Sequence, residues 1–192
     1  MTSFDIVAVA ASAGGLNALT HVLHALPDDF AAAIVVVQHL DPRHRSLMAE
    51  ILGRRTGLKV REAVHGDQVA PGTVMIAPPN NHLLVNRNGS LTLTQTELVH
   101  FLRPSADLLF ESTAAAYRER AIAVVLSGSG SDGAMGVKAI KKMGGTVIVQ
   151  DRQSSEFAGM PGAAQQTGMV DFVLPLQEIA LALQQLVRSS AP

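Results

Sequence analysis

A chain of 192 residues, 47% hydrophobic and 16% charged, is long and apolar enough to bury a sizeable core, which excludes a disulfide-stapled mini-protein and a disordered segment alike. Fifteen Lys plus Arg against sixteen Asp plus Glu leave a formal charge of -1, so no general field draws in a polyanion and no nucleic-acid partner is expected. With zero Cys there are no disulfides, thiolate zinc sites, iron–sulfur clusters or cysteine nucleophiles, and oxygen and nitrogen groups must carry the chemistry.

Met1 to Phe4 runs straight into Asp5-Ile6-Val7-Ala8-Val9 without a basic leader region, and no stretch reaches the roughly 18 apolar residues of a membrane span. A soluble cytoplasmic protein with no membrane insertion is expected. Ile6–Val9 and Ala33–Val37 read as the first two strands. Between them Leu16, Leu19, Leu23 and Leu26 recur at three- and four-residue spacing, which predicts a helix from about Leu16 to Ala25 that stops at Pro27. Helix Ser46–Arg55 and strands Val60–Ala63 and Val74–Ala77 follow. Leu83-Leu84-Val85 and Leu91-Thr92-Leu93 flank Asn88-Gly89, a pair that favours a tight turn, so an antiparallel hairpin at the sheet edge is predicted. Beyond it come helix Ser105–Arg118, strand Ala121–Leu126, helix Gly133–Lys142, strand Thr146–Gln150, strand Asp171–Leu174 and helix Leu176–Val187. Alternation of short β-branched runs with helices predicts an α/β fold with a mainly parallel sheet and right-handed crossovers. No repeat or linker divides residues 1–192, so one domain with an ordered core of about 5–187 is expected, with Ser189–Pro192 a loose tail.

In such a sheet reacting groups gather outside the carboxyl ends of the strands. Three polar stretches fall there: Ala10-Ala11-Ser12-Ala13-Gly14-Gly15, Gln38-His39, and Ser127-Gly128-Ser129-Gly130-Ser131-Asp132-Gly133. Ser12 sits on a sharp strand-to-helix turn among small residues, as a nucleophile elbow requires, although a helix N-cap or a phosphate-binding serine has the same pattern. His39 leaves the sheet after five apolar residues and suits a base or a satisfied structural imidazole. His21 and His24 read as helix-surface residues, and His65 and His100 show no ligand spacing. Asp132 opens a helix, so it is either a cap or the acid that holds an imidazole in one tautomer. The competing acid, Asp41, precedes Pro42 and suits a turn. A glycine-bearing turn after a strand also fits a nucleotide, but the end of strand two carries Gln38-His39 where a dinucleotide site favours an acid.

Together with Ile76-Ala77-Pro78, Arg103-Pro104-Ser105-Ala106-Asp107-Leu108-Leu109-Phe110 and Gly159-Met160-Pro161, these stretches resemble the CheB-type chemotaxis receptor methylesterases from about Asp5 to Val187. The resemblance implies a three-layer α/β/α domain around a mostly parallel, doubly wound sheet. It also implies hydrolysis of glutamyl methyl esters on the cytoplasmic helices of methyl-accepting chemotaxis receptors, and receptor glutamine deamidation. Carried over by motif, Ser12 is the nucleophile, His39 the base and Asp132 the orienting acid. Backbone N–H groups at Ala13 and Ser129 face the oxyanion, Arg103 and Met160 line the substrate groove, and no cofactor or metal is implied. Ala13 and Ser129 stand where the family commonly has Thr and Met, which removes one hydroxyl near the imidazole but keeps the backbone donors. Family members often carry a phospho-accepting receiver domain, and none is expected in these residues. A catalytically idle receptor-binding module and a nucleotide-binding protein remain the alternatives.

Overall fold

The computed structural model describes residues 6–41 and 43–188, so the start at Met1, Pro42 and the expected tail Ser189–Pro192 lie outside the described residues. The strands are β1 (Ile6–Ala11), β2 (Ala33–Gln38), β3 (Lys59–Glu62), β4 (Thr73–Ile76), β5 (His82–Val85), β6 (Leu91–Thr94), β7 (Ala121–Val125), β8 (Thr146–Gln150) and β9 (Phe172–Leu174). The helices are α1 (Gly15–Ala25), α2 (Met48–Gly53), α3 (Ala106–Tyr117), α4 (Ala134–Lys142), α5 (Gly159–Gln166) and α6 (Leu176–Arg188). Seven strands pair in the order β3-β4-β2-β1-β7-β8-β9, each neighbour parallel to the next.

The central strands are apolar at nearly every position because helices cover both faces of the sheet. Alternate residues divide between two cores. Val7, Val9 and Ala11 of β1 face one core with Leu19 and Leu23 of α1 and Ile179 and Leu183 of α6. Ile6, Ala8 and Ala10 face the other with Leu109 and Phe110 of α3 and Val137 and Ile140 of α4. The expected three layers are thus present.

Three expectations on the elements need correction. The antiparallel hairpin forms, but as a separate two-stranded sheet and not bonded to an edge, both edges being the parallel strands β3 and β9. Leu83, Val85 and Leu91 are buried in the α3-side core, and the Val85 N–H donates to Ser112 Oγ of α3 at 3.1 Å, so the hairpin lies over a face. Gly159-Met160-Pro161, for which the sequence predicts no helix, is the first turn of α5. Pro161 is its third residue, where a missing N–H leaves no helical bond unmade, and the Gly and Pro hide the helix from any propensity reading. Finally, α2 is shorter than Ser46–Arg55 at both ends, with the Met48 N–H donating to Ser46 Oγ at 3.2 Å.

Two buried aspartates tie α3 to α4 by capping each other's helix. Asp107, in the first turn of α3, accepts the Gly133 N–H at 3.0 Å and the Gly136 N–H at 2.8 Å at the start of α4. Asp132, just before α4, accepts the Ala106 N–H at 2.7 Å and the Asp107 N–H at 3.0 Å at the start of α3. Burial pushes the Asp107 carboxyl above its ordinary range against the pull of the Gly136 N–H, and the nearby Asp132 charge adds to the rise. Asp107→Ala leaves two N–H groups without an acceptor and is expected to lower the unfolding free energy by about 1–3 kcal/mol. Asp107→Asn, which keeps an oxygen at that point, is expected to lose less, and urea unfolding of both variants checks the order.

Candidate active site

Strand register decides which side chains meet at the carboxyl rim. Ala11 of β1 pairs with Gln38 of β2, so Ser12 and His39 each stand one residue beyond the last pair, on neighbouring strands. The rim is stitched by the His39 N–H to the Ala11 carbonyl at 3.1 Å, the Ser12 N–H to the Ser127 carbonyl at 3.0 Å and the Leu126 N–H to the Ala10 carbonyl at 2.9 Å. Position β1, which lies between β2 and β7, is the point where strand order reverses, and the three polar stretches all leave the sheet there.

The turn that carries Ser12 needs its glycine. Gly14 caps α1 at φ 74°, a left-handed conformation, and a Cβ built there would press into the Glu156 carboxylate and lie 2.7 Å from Ser127 Oγ. Gly128 lies under Ser12 on the other side, where a Cβ would come within 2.9 Å of Ser12 Cβ. Ser12 itself is half-buried, and its hydroxyl makes no hydrogen bond among the described residues. The backbone N–H groups of half-buried Ala13 and exposed Ser129 have no acceptor among the described residues either.

His39 and Asp132, 93 residues apart in sequence, are joined by a 2.7 Å hydrogen bond between Nε2 and Oδ2. Their side chains are 11% and 1% exposed. The Asp132 carboxylate also accepts the Ala106 and Asp107 N–H groups and the Ser105 hydroxyl, the last at 3.2 Å. Burial by itself would raise the Asp132 pKa, but the His39 ring and the two N–H groups outweigh it and hold the carboxyl below its ordinary range. The N-terminus of α3 adds its positive dipole end. A carboxylate held as the anion only accepts, so Nε2 carries the hydrogen, and in the neutral ring Nδ1 is then the bare nitrogen.

Several positioning residues escaped the sequence reading. Gln38, 4% exposed, donates from Nε2 to the Ser12 carbonyl at 2.7 Å and to the His39 carbonyl at 3.1 Å, holding both loops at the rim. Buried Ser127 donates to the Ala13 carbonyl at 2.8 Å and accepts the Phe157 N–H at 3.0 Å, while its own N–H donates to Gln150 Oε1 at 2.9 Å. Fully buried His82 bridges by donating from Nε2 to the Glu97 carbonyl at 2.9 Å and accepting the Ser105 N–H on Nδ1 at 3.1 Å. The available signal was a polar residue closing an apolar strand, as Gln38 and Gln150 do.

The groove assignment of Met160 does not hold. Met160 is 1% exposed, with its thioether packed where a Cβ on Gly128 would go, so it supports the loop under Ser12 and lines no groove. Half-exposed Arg103 donates to Asn80 Oδ1 at 2.6 and 2.9 Å and to the Gln95 and Thr96 carbonyls at 3.1 and 2.7 Å, so its guanidinium clamps loops and pairs with no carboxylate among the described residues. Asp41 follows its turn reading, because both its oxygens are taken by Arg43 at 2.9 and 2.6 Å.

Residues 7–183 match the family model of CheB methylesterase. A relative from Leptospira interrogans, provisionally named protein-glutamate methylesterase/protein-glutamine glutaminase, is 39% identical over 178 residues, covering 93% of this chain and 92% of the relative. A Moorella thermoacetica protein of that same double name is 41% identical over 187 residues, 95% of this chain but 44% of that protein. The Myxococcus xanthus protein-glutamate methylesterase FrzG is 42% identical, with 96% of this chain and 55% of that protein covered. This chain thus spans about half the length of the latter two relatives. Its structure is similar to the crystal structure of the Thermotoga maritima CheB methylesterase catalytic domain, with a TM-score of 0.92 at 37% identity over 97% of this chain and 100% of that one.

Proposed function

Because the chain belongs to the CheB methylesterase family, we propose that it hydrolyses glutamyl methyl esters on chemotaxis receptors, with Ser12 as nucleophile, His39 as base and Asp132 as the orienting acid. The observation that carries this reading is the 2.7 Å bond between His39 Nε2 and a buried, ionised Asp132, with Ser12 and His39 each one residue beyond the last pair of neighbouring strands. With Nε2–H committed to Asp132, Nδ1 takes the Ser12 proton as Oγ attacks the ester carbonyl. The imidazolium that forms is stabilised by the neighbouring carboxylate and returns the proton to departing methanol. The free N–H groups of Ala13 and Ser129 serve as donors to the oxyanion of the tetrahedral intermediate, the larger electrostatic contribution in such reactions. Water then enters, loses a proton to the same nitrogen and releases the glutamate carboxylate. A receptor glutamine gives the same acyl-enzyme with ammonia leaving, which supports a second, deamidating activity.

Partners in this reading are the cytoplasmic helices of methyl-accepting receptors, and the site of action is the cytoplasm. No helix among the described residues is long and apolar enough to cross a membrane. The test is methanol release from receptor membranes carrying labelled methyl esters, followed by ammonia release from receptors with glutamine at the same positions. Receptor co-sedimentation without either product would assign the idle binding module instead.

A further inference from the structure

Beside Ser12 lies a trough with two charges that the reaction does not use. A cavity of about 590 Å³ follows α1 from Ser12 to Thr20 and is bounded across from it by α2. It shares Leu16, Leu40, Met48 and Ile51 with a neighbouring hollow of about 360 Å³, so the two form one trough that continues to Leu47, where Asp41 and Arg45 also line it but are paired with Arg43 and Glu50. Leu16, Ile51 and Leu47 are 37%, 40% and 53% exposed along it, an apolar strip facing water. One amphipathic helix has a stripe of the right kind to cover such a strip.

The two ends of the cavity differ in charge. Glu156 stands at the Ser12 end, its carboxylate against Gly14, on a segment held by the Phe157 N–H to Ser127 Oγ and by the Gly128 N–H to the Phe157 carbonyl at 2.9 Å. Arg55 stands at the other end, where its carbonyl accepts the His24 Nδ1–H at 2.8 Å near the close of α1. Glu156 and Arg55 have no ion-pair partner among the described residues. From Gly14 to Thr20 the helix rises about 9 Å, and an extended arginine side chain prolongs that reach.

We propose that this trough seats an amphipathic substrate helix in one direction, with the target glutamyl group at Ser12 and an acidic side chain about two turns away at Arg55. The proposal rests on the esterase reading for the identity of the target group. Residues seven apart on a helix share a face about 10 Å apart, close to the roughly 9 Å that α1 rises along the cavity from Gly14 to Thr20. An acid beside the target meets the like charge of Glu156, whereas an acid two turns away in the correct direction meets Arg55. The reversed helix loses that partner.

The test uses Ser12→Ala protein and labelled helical peptides with glutamine at the target position and Glu or Lys seven residues before or after it, read by fluorescence anisotropy. On one side only, the Glu peptide is expected to bind about fivefold more tightly than its Lys counterpart, a preference weakened by salt. Arg55→Ala in the same background is expected to remove the preference and Arg55→Glu to invert it, with unfolding midpoints confirming that each variant is folded. Equal binding of Glu and Lys peptides on both sides, or a preference that survives Arg55→Glu, overturns the proposal. Methanol release by the unmutated protein is measured separately. A charge preference without release supports the trough and removes the esterase reading, while release without a preference removes the trough alone.

Discussion

Ser12→Ala is expected to lower methanol release by about 10⁴–10⁶-fold, the scale on which removal of a triad nucleophile acts. The Ser12 hydroxyl makes no hydrogen bond among the described residues and is half-buried, so its loss removes no structural bond. The unfolding free energy is expected to stay within about 0.5 kcal/mol of the unmutated protein. That combination separates a nucleophile from the cap that the same sequence pattern allows, since a cap lost to Ala costs about 1 kcal/mol of stability and touches rate only indirectly. The cap of α1 is in fact Gly14, with no side-chain oxygen involved. Nearby hydroxyls do not substitute readily: Ser127 Oγ is committed to the Ala13 carbonyl, and Ser105 Oγ to Asp132. Ser12→Ala protein that still releases methanol at a comparable rate would assign the nucleophile elsewhere and leave the His39–Asp132 pair without its proposed role.

Most of this site could be read from the sequence because the elements that carry it are the ones with the plainest patterns. Continuous runs such as Ala33-Ile34-Val35-Val36-Val37 announce buried parallel strands, and the first polar residues after them mark the rim where Ser12, His39 and Asp132 stand. What stayed hidden depends on partners distant in sequence. Asp132 was legible as either a cap or an orienting acid, and it is in a position to be both. The helix that it caps is not the one it precedes but α3, which begins 26 residues earlier at Ala106. No local pattern carries that information. Met160 lay in a motif suggestive of the groove, yet an apolar side chain in the first turn of a short helix packs inward wherever a glycine opposite leaves room, as Gly128 does. The hairpin was visible from Asn88-Gly89, but whether it extends an edge or covers a face depends on what Leu83 and Val85 find to pack against.

Asp132→Asn is expected to lower activity by about 10⁴-fold and also to destabilise the fold, because both oxygens of this carboxylate are surrounded by donors. Oδ2 accepts His39 Nε2–H and the Ala106 N–H, and Oδ1 accepts the Asp107 N–H and the Ser105 hydroxyl. An amide must turn its NH₂ toward one of these sets. Facing Ala106 and His39, it opposes a backbone N–H and pulls the ring toward the tautomer with its hydrogen on Nδ1, where Ser12 needs a bare nitrogen. Facing Asp107, it opposes the second N–H of α3. Either way at least one buried donor is stranded, at about 1–3 kcal/mol, and Asp132→Ala strands more. The sign of the pH dependence follows from the direction of the shift. The folded carboxyl lies below its ordinary value of 3.8, so its stabilisation is fully present above that pH and fades as pH falls toward the folded pKa. Asp107, raised by burial, acts with the opposite sign: it favours the folded state most at low pH, and that contribution is lost as pH rises through its folded pKa. Urea unfolding of unmutated and Asp132→Asn protein between pH 3 and 7 reads the first contribution together with the smaller change in Asp107, whose rise the Asp132 charge partly causes. The stability gap between them is expected to be widest near neutrality and to narrow below about pH 4. A gap that stays constant down to pH 3 would show that the folded carboxyl is not lowered from its ordinary value, and a gap that widens there would show that burial wins and holds Asp132 neutral, which could not keep His39 in the tautomer that leaves Nδ1 free for Ser12.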